Sequence, residues 1–452
     1  MTPQPQRQPQ TEPAARREAI LSAAVARGLL DPEEEPLTAF LDLDGLAGNI
    51  AALQQAFPAD LEVLHAFAAK ANSLVPVLSE LRRLGTGCEV ASEGELAQAL
   101  AAGFEPGQIV FDSPAKTRRE LRTALRLGVA LNVDNFQELE RVDELHIDVD
   151  SASPVGLRIN PQVGVGAIAE MSTAGPASKF GVPLTDPGAR ETLLAAYAAR
   201  PWLNRVHAHV GSQGCPLPLI GQGIAELVAL ADEINDRAGR RQVTTVDIGG
   251  GLPVDFATDT PVSAFAGYVA QLRASAPRLF SGDYAVVTEF GRSILAKFGF
   301  TAAYVEYTKV SAGQPIAITH AGATVAARTV FMPAAWPLRV QAHTGTGTLK
   351  AGPEIGQDIA GPCCFAGDLV ARNRPLPLLE PGDIVTLLDT GAYYASTPFG
   401  YNSLRRPGVY GARIRADGEV DFTVLRRPET MEELLAASGA GLGTGALVSP
   451  LP

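Results

Sequence analysis

From Leu41 to about Val287 the chain alternates short apolar runs with segments of helical periodicity. Leu61–Ala69 reads as a strand, and Leu74–Gly85 as an amphipathic helix ending in glycine. Gly87–Val90 reads as the next strand. Ser92–Gly103 follows as a helix, with Ser92 as N-cap and Glu95 three residues later completing a capping box. Further strands are predicted at Ile109–Phe111, Ala130–Val133, Val155–Ile159, Val206–Val210, Thr245–Ile248 and Ala285–Thr288. Helices are predicted between them at Lys116–Leu127, Phe136–Glu144 and about Leu219–Ala238. Repeated β–α units imply a parallel sheet, and eight in about 250 residues is the size of a (β/α)8 barrel.

From Phe298 onward the texture changes. Alternating apolar positions in Ala302–Lys309, Ala317–Thr319, Leu338–Ala342, Ile384–Leu388 and Gly411–Arg415, separated by Gly/Pro turns, predict a β-rich domain. The expected division is a barrel over 41–290 and a β-rich domain over 291–436. Residues 1–16, rich in Gln, Pro and Arg, read as a disordered lead-in, and the Gly/Pro-rich 437–452 as a mobile tail.

Composition narrows the class without changing this picture. A chain of 452 residues with 46 % hydrophobic and 19 % charged residues is an ordinary globular protein, too long for one core. The net charge of −12 argues against a nucleic-acid partner. No apolar run is long enough for a membrane span, and the N-terminus lacks the apolar core of a signal peptide. Four cysteines, Cys363 and Cys364 adjacent, do not make a disulfide framework, so reduced thiols and a cytoplasmic location are expected. The histidines and cysteines show no zinc spacing, and no required metal is expected.

The chemistry begins at Lys70, in His65-Ala66-Phe67-Ala68-Ala69-Lys70-Ala71-Asn72. A lysine at the end of an apolar strand is poorly solvated, which predicts a lowered pKa and a usable amine nucleophile. Such amines condense with aldehydes such as pyridoxal phosphate. Alone, the residue would be read as a snorkelling surface lysine. Lys70, Glu89, Arg158, His209, Gly249 and Glu289 all fall at or just after predicted strand ends, where barrel enzymes carry their sites.

The Lys70 stretch resembles the Tyr-Ala-x-Lys-Ala-Asn signature of fold-type III pyridoxal-phosphate decarboxylases, the diaminopimelate, ornithine and arginine decarboxylases, with Phe67 in place of tyrosine. Further motifs follow in the family's order: Gly87 to Leu96, Leu157 to Pro161, Ser178 to Gly181, His209 to Gln213, Asp247 to Pro253, Glu289 to Arg292, Gly361 to Asp368, and Gly391 to Tyr393. The resemblance runs from about residue 37 to residue 415. It implies an alanine-racemase-like barrel plus a C-terminal β-rich domain, against which the N-terminal segment 17–40 packs. It also implies pyridoxal 5'-phosphate as cofactor, an amino-acid substrate and a homodimer with shared active sites.

The resemblance also implies roles. Lys70 would carry the cofactor, and Glu289 would face its pyridine nitrogen. Gly249, Gly250 and Gly251, which lack Cβ atoms and let backbone N–H groups approach oxygens closely, would cradle the phosphate with Arg292. Tyr393 would reach the phosphate too, with Tyr394 open as the alternative. His209 would stack on the ring, with His207 two residues earlier on the same face of the strand. Ser212 would lie near the phosphate, and Glu89 and Arg158 would support the ring. Cys364 would deliver a proton in the partner subunit's site.

Three positions depart from the family. Phe365 stands where a distal-amine acceptor is expected, Met332 replaces a tyrosine and Trp336 a histidine, while Arg328 is kept. A buried, unpaired ammonium in such a pocket costs several kcal/mol. The expected substrate is therefore an amino acid with an apolar, aromatic or carrier-linked side chain. Competing readings are a diaminopimelate decarboxylase with shifted contacts, an inactive regulatory homologue that binds a protein partner, and a racemase on the same barrel.

Overall fold

The computed structural model describes residues 13–149, 151–168, 172–259 and 264–441. The described residues divide into two compact units, one within 42–299 and 389–396, the other within 13–41, 300–388 and 397–441.

The first unit is a closed parallel barrel. Its strands are Val63–Ala68, Gly87–Val90, Ile109–Asp112, Ala130–Val133, Val155–Asn160, Leu203–His207, Thr245–Asp247 and Ala285–Thr288. Each pairs in parallel with the next, and the last closes on the first with Val286 opposite Val63. The two-residue strand Val182–Pro183 adds to the outside of Val155–Asn160. Four-residue strands buried at every position, such as Gly87–Val90 and Ala130–Val133, explain the unbroken apolar runs: both faces are covered. Local chemistry sets the helix starts. Thr117 and Glu120 form a reciprocal capping box that begins a helix at Arg118, two residues after Lys116. Ser92 caps the Glu95 N–H, but Glu95 reaches back to Ala91 N rather than to its cap, so that box is only half formed.

The second unit is built on a mostly antiparallel sheet. Its path runs Leu369–Pro377, Glu354–Ala360, Gln314–Thr319, Gly299–Ser311, Leu37–Asp42, Gly408–Ile414, Val420–Arg426, with Ile384–Leu388 and Val340–His343 branching from Gly299–Ser311. A helix, Pro13–Ala26, places Ile20, Leu21 and Ala24 in the same core as Phe40, Phe300, Tyr304, Ile384 and Tyr410. Phe40 and Phe300 stack at 5.2 Å between centroids.

Several boundaries differ from expectation. The N-terminal helix begins at Pro13, so the last four residues of the lead-in expected over 1–16 are helical; residues 1–12 lie outside the described residues. Helix Met431–Ala437 and the turn after it enter the tail expected over 437–452, whose residues 442–452 lie outside the described residues. Residues 389–396 return to the barrel unit rather than to the β-rich one. Among the described residues, no helix is long and apolar enough to cross a membrane.

Candidate active site

The strand register gathers charged groups at one end of the barrel. Lys70 lies in a single 3-10 turn, Ala69–Ala71, directly after the first strand. Ala68 is in register with Glu89 on the second strand, and Lys70 Nζ donates to Glu89 Oε2 at 2.7 Å. The Glu89 side chain is fully buried, whereas Lys70 keeps 39 % of its side-chain surface. The expected lowering of the lysine pKa is overturned here. Burial does act downward, but the carboxylates of Glu89 and Glu289 act upward and win, so the ammonium form is held. Burial raises the Glu89 carboxyl, and Lys70 offsets only part of that rise.

Arg158, on the fifth strand, pairs with Asp112 at 2.7 Å, and its guanidinium lies 4.4 Å from the Phe180 ring centroid. Burial acts upward on Asp112, but Arg158 and then His207 outweigh it and hold that carboxyl well below its usual range. His207 ends the sixth strand and His209 lies beyond it, not on it as predicted. Both nonetheless face Glu289, with His207 Nε2 at 3.4 Å and His209 Nδ1 at 3.9 Å from Glu289 Oε2. Burial lowers the pKa of both imidazoles, that of His209 well below its usual value. Glu289 itself is buried and its pKa is raised by burial and then by Asp112.

The glycine turn needs its glycines. A Cβ on Gly250 would stand 2.2 Å from Glu289 O, and one on Gly251 1.9 Å from Gly211 O. Yet the three N–H groups are not equally open. Gly249 N donates to Asp247 Oδ1 at 3.1 Å and Gly250 N to His209 Nδ1 at 3.1 Å. That leaves Gly251 as the one whose N–H takes no acceptor among the described residues. Accepting that bond also requires His209 Nδ1 to be unprotonated, so the 3.9 Å approach to Glu289 is not an ion pair. Beside the turn's neighbours, Arg292 is buried with its guanidinium 4.5 Å from the Tyr393 ring centroid. Tyr393 has φ +65° and its N–H donates to Ala71 O at 2.7 Å, while Ser396 Oγ donates to Lys70 O. The ring under the Arg292 guanidinium is that of Tyr393. For Ser212 the observed contact is backbone, Cys215 N donating to its carbonyl.

Asp112, His207 and Glu289 also bring three ligand-type atoms within 4.8 Å of one another. Sequence spacing did not reveal this cluster. Arg158 already occupies one oxygen of Asp112, which sets a cation where a metal would need neutral or anionic neighbours.

In the second unit, the loop Gly361–Asp368 is knitted by Asp368, whose two oxygens accept from Ala323 N (2.6 Å) and Cys363 N (2.7 Å). Cys363 is buried and Cys364 exposed, the Cys364 N–H donating to Asn402 Oδ1 at 2.8 Å. Phe365 does not stand alone. It stacks on Phe331 at 5.6 Å with planes 6° apart and meets Tyr401 edge-on at 5.9 Å. Phe399 closes the ring of four, 5.3 Å from Phe331 and 5.8 Å from Tyr401. Sequence reading missed Phe331, Phe399 and Tyr401, which stand in separate segments of the chain. Phe331 is 55 % and Met332 42 % exposed, whereas Trp336 is buried under the Arg328 guanidinium, 5.1 Å away.

Comparison with known proteins follows the same geometry. Residues 43–296 match the family described as pyridoxal-dependent decarboxylase, pyridoxal binding domain. The chain belongs to the pyridoxal-dependent decarboxylases. It is 35 % identical over 374 residues to a diaminopimelate decarboxylase of Pseudomonas aeruginosa, covering 82 % of this chain and 85 % of that one. A diaminopimelate decarboxylase of Haemophilus influenzae is 30 % identical over the same shares. Among solved structures, a diaminopimelate decarboxylase from Helicobacter pylori complexed with L-lysine superposes with a TM-score of 0.80 at 25 % identity. That match covers 92 % of this chain and all of the other. The decarboxylase is thus a pyridoxal-phosphate-dependent carboxy-lyase acting on an amino acid.

Proposed function

We propose that this decarboxylase acts on an amino acid whose side chain is apolar or aromatic, free or carrier-linked, and releases CO2 and the amine. The observation that carries the reading is the four-ring cluster of Phe331, Phe365, Phe399 and Tyr401. It surrounds the position that would need an acceptor for a distal amine. The loop's own carboxylate, Asp368, is held by backbone donors and does not supply one.

The barrel residues fit the cofactor. When bound, pyridoxal phosphate supplies the sink for the electron pair released as the bond from Cα to the carboxylate breaks. Lys70 offers the amine, and Glu89 orients it. Glu289, buried with Oε2 lacking a hydrogen-bond partner, offers an anion for the pyridine nitrogen. Gly251 N–H, Arg292 and Tyr393 suit the phosphate, with Ser212 close by, and neutral His209 suits the ring face. Arg158, pinned by Asp112, stiffens the neighbouring strand end. Cys364 Sγ would give its proton to Cα after CO2 leaves, in the site of a second copy of the chain, and Arg328 would meet an acidic group on the substrate.

A second reading, diaminopimelate as substrate, is favoured by the names of the relatives. The two are separated by CO2 release from the loaded enzyme across a panel of amino acids. Turnover of an apolar or aromatic amino acid above that of meso-diaminopimelate, ornithine and lysine is the expected result. Preference for meso-diaminopimelate would replace the first reading with the second.

A further inference from the structure

Asp247 opens the glycine motif, yet the roles described so far leave it without one. It is fully buried at the end of the seventh barrel strand, and it has three partners. Arg205 Nη2 donates to Oδ2 at 2.7 Å, Asn132 Nδ2 to the same oxygen at 3.0 Å, and Gly249 N to Oδ1 at 3.1 Å. Asn132 Nδ2 also lies 3.5 Å from Glu289 Oε1. An isolated carboxylate and guanidinium are costly in a barrel interior, so both must be held in a fixed geometry. The fold makes room for that. Arg205 is 2 % exposed, and a Cβ on the neighbouring Gly156 would lie 2.0 Å from Arg205 O and 2.5 Å from its Cγ. Tyr197 Oη donates to the same Arg205 carbonyl at 2.7 Å.

We propose that Arg205, Asp247 and Asn132 are positioning residues that fix the Gly249–Gly251 turn and tie it to Glu289, so that the phosphate and ring-nitrogen ends of the cofactor site are set by one buried network. Asp247 takes the Gly249 N–H out of play and His209 takes that of Gly250, which aims the turn so that Gly251 N–H is the donor left for an anion. The residues touch the cofactor only through the turn and through Glu289. The proposal rests on the cofactor placement given under Proposed function.

The test compares two double variants of the enzyme, stripped of cofactor and retitrated with pyridoxal phosphate and with pyridoxal. Arg205→Met with Asp247→Leu removes the ion pair without leaving an orphan charge, and removes the acceptor for Gly249. Arg205→Met with Asp247→Asn makes the same charge change but keeps an acceptor. The ratio of the two affinities reads the phosphate cradle and is unmoved by a general loss of packing. It should fall about tenfold in the leucine variant and stay within about threefold of wild type in the asparagine variant. Equal ratios in the two variants would overturn the proposal. If the leucine variant does not fold, Asn132→Leu removes one of Asp247's two side-chain anchors, and its ratio should fall about threefold; an unchanged ratio there also overturns it. Arg292→Met is the control for the underlying placement. If it leaves the ratio unchanged, the phosphate does not lie at this turn, and the cofactor reading fails rather than the network.

Discussion

The barrel unit and the β-rich unit treat their chemistry differently. At the barrel's strand ends, charged groups are matched, Lys70 with Glu89, Asp112 with Arg158 and Asp247 with Arg205, and all but the part-exposed Lys70 are buried. The β-rich unit carries instead a cluster of four aromatic rings, with Phe331 and Tyr401 left substantially open. Buried ion pairs tolerate little change, because removing one partner strands the other at a cost of about 3–5 kcal/mol. Exposed rings tolerate exchange far better. The comparison teaches that the barrel holds matched charges whose partners are fixed by the strand register, whereas the β-rich unit presents apolar rings that can be exchanged one at a time.

The largest effect should come from breaking the barrel's pairing. Lys70→Ala should abolish borohydride-trapped cofactor and lower CO2 release by about a thousandfold or more. Mass spectrometry of the reduced protein checks it; a cofactor adduct on another lysine would remove Lys70 from the scheme.

A smaller effect concerns acid. His65, buried against Phe57 with Nδ1 2.9 Å from Thr288 Oγ1, has its pKa lowered by burial to about 4. The unfolded chain therefore binds this proton between about pH 6.5 and 4 while the folded chain does not. Stability from this group is present above pH 6.5 and is lost as pH falls toward 4, by about 2–3 kcal/mol. Denaturant midpoints across that window should slope less steeply in His65→Leu than in wild type. Parallel slopes would show that His65 is not the group responsible.

The smallest effect joins the two units. If Cys364 works in the site of a second copy, mixing inactive Lys70→Ala with inactive Cys364→Ala chains should restore up to about a quarter of wild-type activity. Half of randomly paired dimers are mixed, and each carries one intact site of two. No recovery in well-exchanged mixtures would place Lys70 and Cys364 of one chain in the same site.

Much of the barrel was legible because strands buried on both faces leave unbroken apolar runs, and because Gly249–Gly251 and Lys70 stand where those runs stop. The sixth strand was placed too late, at Val206 instead of Leu203, since Asn204 and Arg205 read as exterior. Arg205 is interior because Asp247 lies across the next pairing, a partner invisible at a separation of 42 residues. The strands Glu354–Ala360 and Leu369–Pro377 were not anticipated, as one carries Glu354, Gln357 and Asp358 and the other Arg372, Arg374 and Pro375. The direction of the Lys70 pKa shift was misjudged for a related reason: an apolar run reports burial but not the carboxylates that neighbouring strands bring in. The aromatic cluster failed to show because Phe331, Phe365, Phe399 and Tyr401 come from separate segments that meet only in the folded unit.

The most direct test of the account is the substrate preference of wild type against Phe365→Glu, measured as kcat/KM for an apolar or aromatic amino acid and for a diamino acid. One charged hydrogen bond is worth about 1.5–3 kcal/mol, so the glutamate should move the ratio toward the diamino acid by roughly one to two powers of ten. A wild-type enzyme that already prefers the diamino acid, or a ratio that Phe365→Glu leaves unchanged, would contradict the assignment of this aromatic cluster to the substrate side chain.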